Sequence, residues 1–333
     1  MAGWLSPARA LRRSHSPEGM VAPPPPSPET TEGPRPVKTG AAVLSVVSNS
    51  TLILLKVLAG SLTGSVAILS EAMHSSVDLI ASIIAFLSVR KADEPADEEH
   101  RYGHQKIENL SAAIEGMLIL VGAGVIAIEA IRRLSAGAAV HSLGIGIAVI
   151  AISAVANLVV AAVVGGRARA TESPALEGDA AHLRTDALTS AGVLVGLLLV
   201  HVTGAQWVDP VVALVVAAGI VRAGLRILTR SSRVLVDEAL PADELEAIQN
   251  AVLEFGGRGV CGFHNLRTRR AGARRYVDLH VQFRTGTTLE AAHATAHALE
   301  DEIRSRVGGA DVLIHLEPED RVRPGTEVPA ERA

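Results

Sequence analysis

The chain has 333 residues, 48% of them hydrophobic, yet only 4 Phe, 2 Trp and 2 Tyr are aromatic, so its apolar mass is almost all Ala, Val, Leu and Ile. Lys and Arg (31) nearly balance Asp and Glu (35), and the net charge of −4 excludes a general attraction to nucleic acid. The single cysteine, Cys261, excludes an intrachain disulfide and thiolate zinc or iron–sulfur sites, so any metal must be held by His, Asp and Glu.

Residues 1–38 read as a disordered, Pro-rich cytosolic tail, with scattered arginines, the run Pro23 to Pro26 and no apolar stretch of a signal peptide. Six apolar segments follow, at about 40–59, 62–89, 107–131, 142–164, 180–202 and 208–228. Gly60, Glu94-Pro95, Gly137, Gly165-Gly166, Gly204 and Asp209-Pro210 mark their ends. Leu134 to Gly166 is 33 residues without a formal charge, and Ala187 to Val208 is another 22. About 20 apolar residues cross the hydrocarbon of a bilayer. These runs are too long and too uniformly apolar for barrel strands, so 39–234 reads as a six-helix transmembrane bundle.

Orientation follows from the basic residues of the short connections. With the N-terminus inside, the inner segments carry Arg90, Lys91, Arg101, Lys106, Arg167, Arg169, Arg226, Arg230 and Arg233, and the outer loops only Arg132 and Arg133. Both termini are therefore expected in the cytoplasm. Residues 235–320 have the composition of a soluble domain. A helix over 242–255 is followed by a strand over 261–270 and a second over 276–283. In the second strand Val277, Leu279, Val281 and Phe283 alternate with polar residues. A helix over 289–307 and a last strand over 311–316 complete an αββαβ order, and 321–333 reads as a flexible tail. About 80 residues make a thin core, which docking or dimerisation would support.

Ionisable side chains inside a span cost about 2.5 to 3.5 kcal/mol each and are functional candidates by default. The second span holds His74 and Asp78, and the fifth holds His182 and Asp186, so H-x-x-x-D occurs twice. A separation of four puts both side chains on one helix face. Two facing helices can then bring two imidazoles and two carboxylates to one tetrahedral divalent ion, with zinc the leading choice. The loop between the second and third spans carries Asp97, His100 and His104, which share one ion if the loop is helical there. His264, His280, His293, His315 and Glu317 fall on or beside the cytosolic strands and second helix. Lys106 and Asp237, at the ends of the third and sixth spans, are placed to form an ion pair.

The two His/Asp pairs, the stretch Asp97-Glu-Glu-His-Arg-Tyr-Gly-His104 running into Lys106 and Glu108, and six spans followed by an αββαβ domain together resemble the cation diffusion facilitator family. The resemblance covers about residues 40–320. It implies a homodimeric divalent-metal/proton antiporter with a metallochaperone-like, ferredoxin-like α+β cytosolic domain. It also implies that His74, Asp78, His182 and Asp186 form the transport site, with Asp97, His100 and His104 a second metal site. The cytosolic His264, His280, His293, His315 and Glu317 would form a cluster at the dimer contact, Glu317 standing where Asp is common. The His/Asp form of the transport site resembles zinc-selective members, which favours zinc over manganese, iron, cadmium or cobalt. No G-x-x-x-x-G-K-[ST] loop is present to supply ATP energy, so proton exchange is the expected coupling. The competing classes are a membrane metalloenzyme, whose H-E-x-x-H and G-x-S-x-G signatures are absent, and a metal sensor. The expected location is the plasma membrane.

Overall fold

The structure is a computed structural model that describes residues 35–63, 66–136 and 144–330; the expected tail up to residue 34, the break at Gly137 and the last three residues lie outside them. Six long helices come first: α1 (Arg35–Thr63), α2 (Val66–Ala92), α3 (Lys106–Ala136), α4 (Gly144–Thr171), α5 (Pro174–Thr203) and α6 (Val208–Leu235). Each contains an apolar stretch long enough to cross a bilayer. α1, α3 and α5 outrun their apolar segments at both ends, α4 and α6 only at their C-terminal ends, and α2 starts later than its apolar run. The excess is largest at the ends nearest the soluble domain, where α4 continues through Gly165-Gly166 to Thr171 and α5 starts at Pro174 rather than at 180. Polar residues there (Arg167, Arg169, Glu177) keep helical backbone once the lipid requirement is gone, so hydropathy alone ends the helices too early. At α5 the start is local chemistry: Ser173 caps the Leu176 N–H and Pro174 occupies the first turn.

Small residues let the helices approach. Ala41, Ala42, Ala161, Ala180 and Leu183 bury one seam of α1, α4 and α5, and α3 meets α6 through Gly116 and Gly224. A Cβ on Gly116 would lie 3.0 Å from the Leu228 backbone nitrogen, and one on Gly224 would lie 3.0 Å from the Leu120 side chain. This is packing by close backbone contact, as expected where lipid supplies no hydrophobic drive between helices. Leucines and valines such as Leu54, Leu58, Val125 and Val155 face outward.

The soluble domain follows as α7 (Ala242–Glu254), β1 (Val260–Ala271), β2 (Arg274–Phe283), α8 (Leu289–Arg306) and β3 (Asp311–Pro318). The sheet order is β1-β2-β3, with β1 and β2 antiparallel and β2 and β3 parallel across the α8 crossover. Val277, Leu279, Val281 and Phe283 of β2 pack with Ile248 and Val252 of α7 and with Leu299 and Ile303 of α8. The stretch 321–330, expected as loose, is instead seated on the outer edge of β1. Phe263 N–H donates to the Thr326 carbonyl and Val328 N–H to that of Cys261, and Val328 is buried. An unpaired strand edge and an apolar side chain together hold it.

Several links join the two parts. Lys106 Nζ donates to Asp237 Oδ1 at 2.8 Å, forming the expected ion pair. Gly272 N–H, in the β1–β2 turn, donates to Asn109 of α3 at 3.0 Å. Tyr276 of β2 donates its hydroxyl to the Tyr102 carbonyl at 3.0 Å, the two rings meet edge to face, and Arg269 lies over both.

Candidate metal centres

Asp78 lies opposite His182 and Ser82 opposite Asp179, so α2 and α5 run antiparallel where they meet. His182 Nε2 is 3.3 Å from Asp78 Oδ1 and 3.8 Å from Asp186 Oδ2. One ligand atom from each of Asp78, His182 and Asp186 falls within 4.8 Å of the other two. His182 Nδ1 and Asp186 Oδ2 are buried with no hydrogen-bond partner. Unsatisfied polar atoms in a bundle interior call for a species to satisfy them. The antiparallel register puts His74 level with Asp186, near enough to interact with its charge. His74 is nonetheless exposed and stands outside the close group of three. Spacing of four placed it on the right face but did not determine how far its ring turns inward.

One turn closer to the soluble domain lies a second polar network. Asp179 Oδ1 accepts from Ser45 and Ser82, both at 3.0 Å, and Asn49 donates to Ser82 at 2.8 Å. Glu115 of α3 is fully buried beside it, against Gly178, where any side chain would collide with its carboxylate. Asp179 was legible as a third ionisable residue, three before His182 on the same span. Lys56 pairs with Glu71 at 3.0 Å and Ser75 at 2.7 Å, whereas Glu129 pairs with Arg133 within α3.

The loop between α2 and α3 is not helical over 97–104. It is a turn in which Gly103 N–H donates to the His100 carbonyl, with Gly103 at φ +82°, a conformation suited to glycine. The turn still gathers its three residues. Asp97 Oδ1 is 3.3 Å from His100 Nδ1, and Asp97 Oδ2 is 3.2 Å from His104 Nε2. The His104 ring is buried and neither nitrogen makes a hydrogen bond of good geometry. The His100 backbone N–H, then the charges of His104 and His100 and the Glu99 N–H, hold Asp97 below its ordinary carboxylate range. The carboxylate is therefore ionised and ready to bind a cation.

In the soluble domain the β1–β2 register puts His264 opposite His280, and the β2–β3 register puts His280 beside His315 and Gln282 beside Glu317. Glu317 lies 2.8 Å from His264 Nε2 and 2.8 Å from His280 Nδ1, and accepts from Gln282 Nε2 at 2.7 Å. Burial alone would raise its pKa, but the bonds from His264, Gln282 and His280 outweigh that and bring it down to about 2. His264, His280 and Glu317 form a close group, with the His315 ring 4.6 Å from that of His280. Gln282, expected on the polar face of β2, is fully buried. His293 departs from the expected cluster: it sits on the exposed face of α8, its Nε2 3.1 Å from that of His297. The helix that carries it packs on the sheet through Leu299 and Ile303, which turns residue 293 away.

A family profile described as the cation efflux transmembrane domain matches residues 42–236, and one described as the cytoplasmic domain of cation efflux proteins matches 240–319. An uncharacterized transporter of Synechocystis is 37% identical over 83% of this chain and 89% of its own length. The cation-efflux pump FieF of Yersinia enterocolitica is 34% identical over 84% of this chain and 92% of its own, and that of Citrobacter koseri gives the same values. A solved structure of CzrB in its zinc form is 36% identical over 26% of this chain and 98% of its own, at a TM-score of 0.25, too low to speak to the fold.

Proposed function

The chain belongs to the cation diffusion facilitator family of cation efflux transporters, and from that premise we propose that it exports a divalent metal ion, zinc first, in exchange for protons. The reading rests on the group Asp78, His182 and Asp186, three N/O ligands whose ligand atoms lie within 4.8 Å of one another inside the membrane bundle. His74, one turn from Asp78 and level with Asp186, completes the set by turning its ring inward as metal binds. Manganese, iron, cadmium and cobalt are the alternative cargoes. Imidazole with carboxylate favours zinc over the harder manganese.

Moving a divalent cation out of a cell with a negative interior costs about 4.6 kcal/mol per 100 mV, and each proton entering returns about 2.3. The ligands supply the coupling, because an imidazole or carboxylate binds metal only when deprotonated. Metal and protons thus compete for one site that faces the two sides in turn. His264, His280, Glu317 and His315 bind metal in the cytosolic domain, and Asp97, His100 and His104 form the loop site. In the proposed homodimer His293, exposed on α8, meets the cluster of a second copy. The transporter lies in the plasma membrane with both termini cytoplasmic.

The test is zinc uptake by inside-out vesicles with and without an imposed pH gradient. The expected result is uptake that needs the gradient and is lost in Asp186→Ala. Uptake indifferent to both, or manganese flux with negligible zinc flux, would sink the reading.

A further inference from the structure

A cavity of about 570 Å³ lies between α3, α4, α5 and α6 and the soluble domain, and shares no lining residue with the three metal groups. Six arginines line it against three glutamates. The glutamates are already engaged: Glu177 with Arg230, Glu172 with Arg270, and Glu244 with Arg275. Arg169, Arg184 and Arg226 are left, and among the described residues none of them has a carboxylate within ion-pair distance.

All three are exposed, and two of them, Arg184 and Arg226, fall within the apolar segments, near the ends closest to the soluble domain. Arg184 is ten residues after the start of α5 and Arg226 nine residues before the end of α6, about 15 and 14 Å along their helices from those ends. The Arg184 guanidinium lies across α4 at Gly165, where a Cβ would be only 2.6 Å from its Nη2, so the missing side chain makes its room. Guanidinium groups in a membrane domain are costly without a counter-charge. Their planar fork matches phosphate oxygens two at a time. The volume is that of a small-ligand pocket, and Ala112, Ala180, Ile227 and Val234 give it partly apolar walls.

We propose that this cavity binds a phosphate-bearing anion, Arg169, Arg184 and Arg226 holding the phosphate. Its place among membrane helices, at their junction with the soluble domain, favours the headgroup of an acidic phospholipid over free phosphate. Because Arg270, Arg275 and Glu244 belong to the soluble domain, a bound headgroup bridges that domain to the bilayer.

The test titrates short-chain phosphatidylglycerol, short-chain phosphatidylcholine and inorganic phosphate separately into the detergent-solubilised full chain and follows the unfolding midpoint. Phosphatidylglycerol is expected to raise the midpoint and phosphatidylcholine to leave it unchanged. The rise should vanish in the Arg169→Gln, Arg184→Gln, Arg226→Gln triple variant and persist in Arg321→Gln, which changes an exposed arginine elsewhere. If the triple variant does not fold, Arg184→Gln and Arg226→Gln singly are each expected to weaken phosphatidylglycerol binding about tenfold. An equal rise with inorganic phosphate, lost in the same variants, supports the site and assigns it to the free anion. A rise retained in the variants, an equal rise with phosphatidylcholine, or no rise with either anion overturns it.

Discussion

Asp186 and His182 each leave a buried polar atom without a partner between the membrane helices, whereas Glu317 in the cytosolic sheet is held by His264, His280 and Gln282. Both places use imidazole and carboxylate. The difference lies in what each needs when no metal is present. A carboxylate in a low-dielectric bundle with no donor of its own is costly, so a metal ion or a proton should always accompany it. The cytosolic carboxylate has protein donors on hand, and its cluster keeps its shape without an ion. The first arrangement suits a group that must exchange one cation for another, and the second suits a group that holds a domain in register and binds metal as an addition.

That contrast can be broken most directly at the membrane group. Asp186→Ala should lower zinc flux in vesicles by at least about 100-fold while leaving the size-exclusion profile unchanged. Glu317→Ala should weaken zinc binding to the cytosolic class of sites by about 10- to 100-fold in calorimetry on the full chain, with a much smaller loss of flux. If the two variants lost flux equally, the distinction between exchange and holding would fail. His74→Ala sharpens it: a ligand that joins only when metal is present should reduce flux about tenfold, less than Asp186→Ala does.

The smallest effect is expected where the two regions meet. The hydrogen bond and charge of Lys106, with Arg269 adding, hold Asp237 below its ordinary carboxylate pKa of 3.8. A depressed carboxylate contributes stability that is complete above its unfolded pKa and is lost as pH falls through the lower folded value. Asp237→Asn should therefore flatten the acid dependence of the unfolding midpoint below about pH 4 and leave neutral pH changed by no more than about 1 kcal/mol, since the pair is half exposed and screened. The double exchange Lys106→Asp with Asp237→Lys should restore most of any loss. A double variant no better than either single would discard the pair as a link.

Periodicity and composition carried the six helices and the αββαβ order because each rests on a local signal: a long apolar run, alternation in β2, or the stripe of α8. Helix ends were less legible, since a helix leaving lipid continues on polar residues that hydropathy does not count. Among site residues, those paired by strand register or by a spacing of four were visible in the sequence. Asp179, Glu115 and Gln282 show in the sequence only as polar residues among apolar ones, because their roles depend on which neighbour faces them across the bundle or sheet. His293 shows the converse: its residue type suggested the cluster, and the rotation of α8, set by Leu299 and Ile303, placed it elsewhere.

Tyr102 sits between His100 and His104, and its carbonyl is bonded to the hydroxyl of Tyr276, four residues before His280 on β2. The loop and the cytosolic strand are thus joined as a lever is joined to its arm. A cation that drew Asp97, His100 and His104 together would shift the carbonyl on which Tyr276 hangs, and with it the near end of the strand that carries His280. Metal arriving at the membrane mouth would in this way be felt mechanically in the cytosolic sheet, with no ion passing between them.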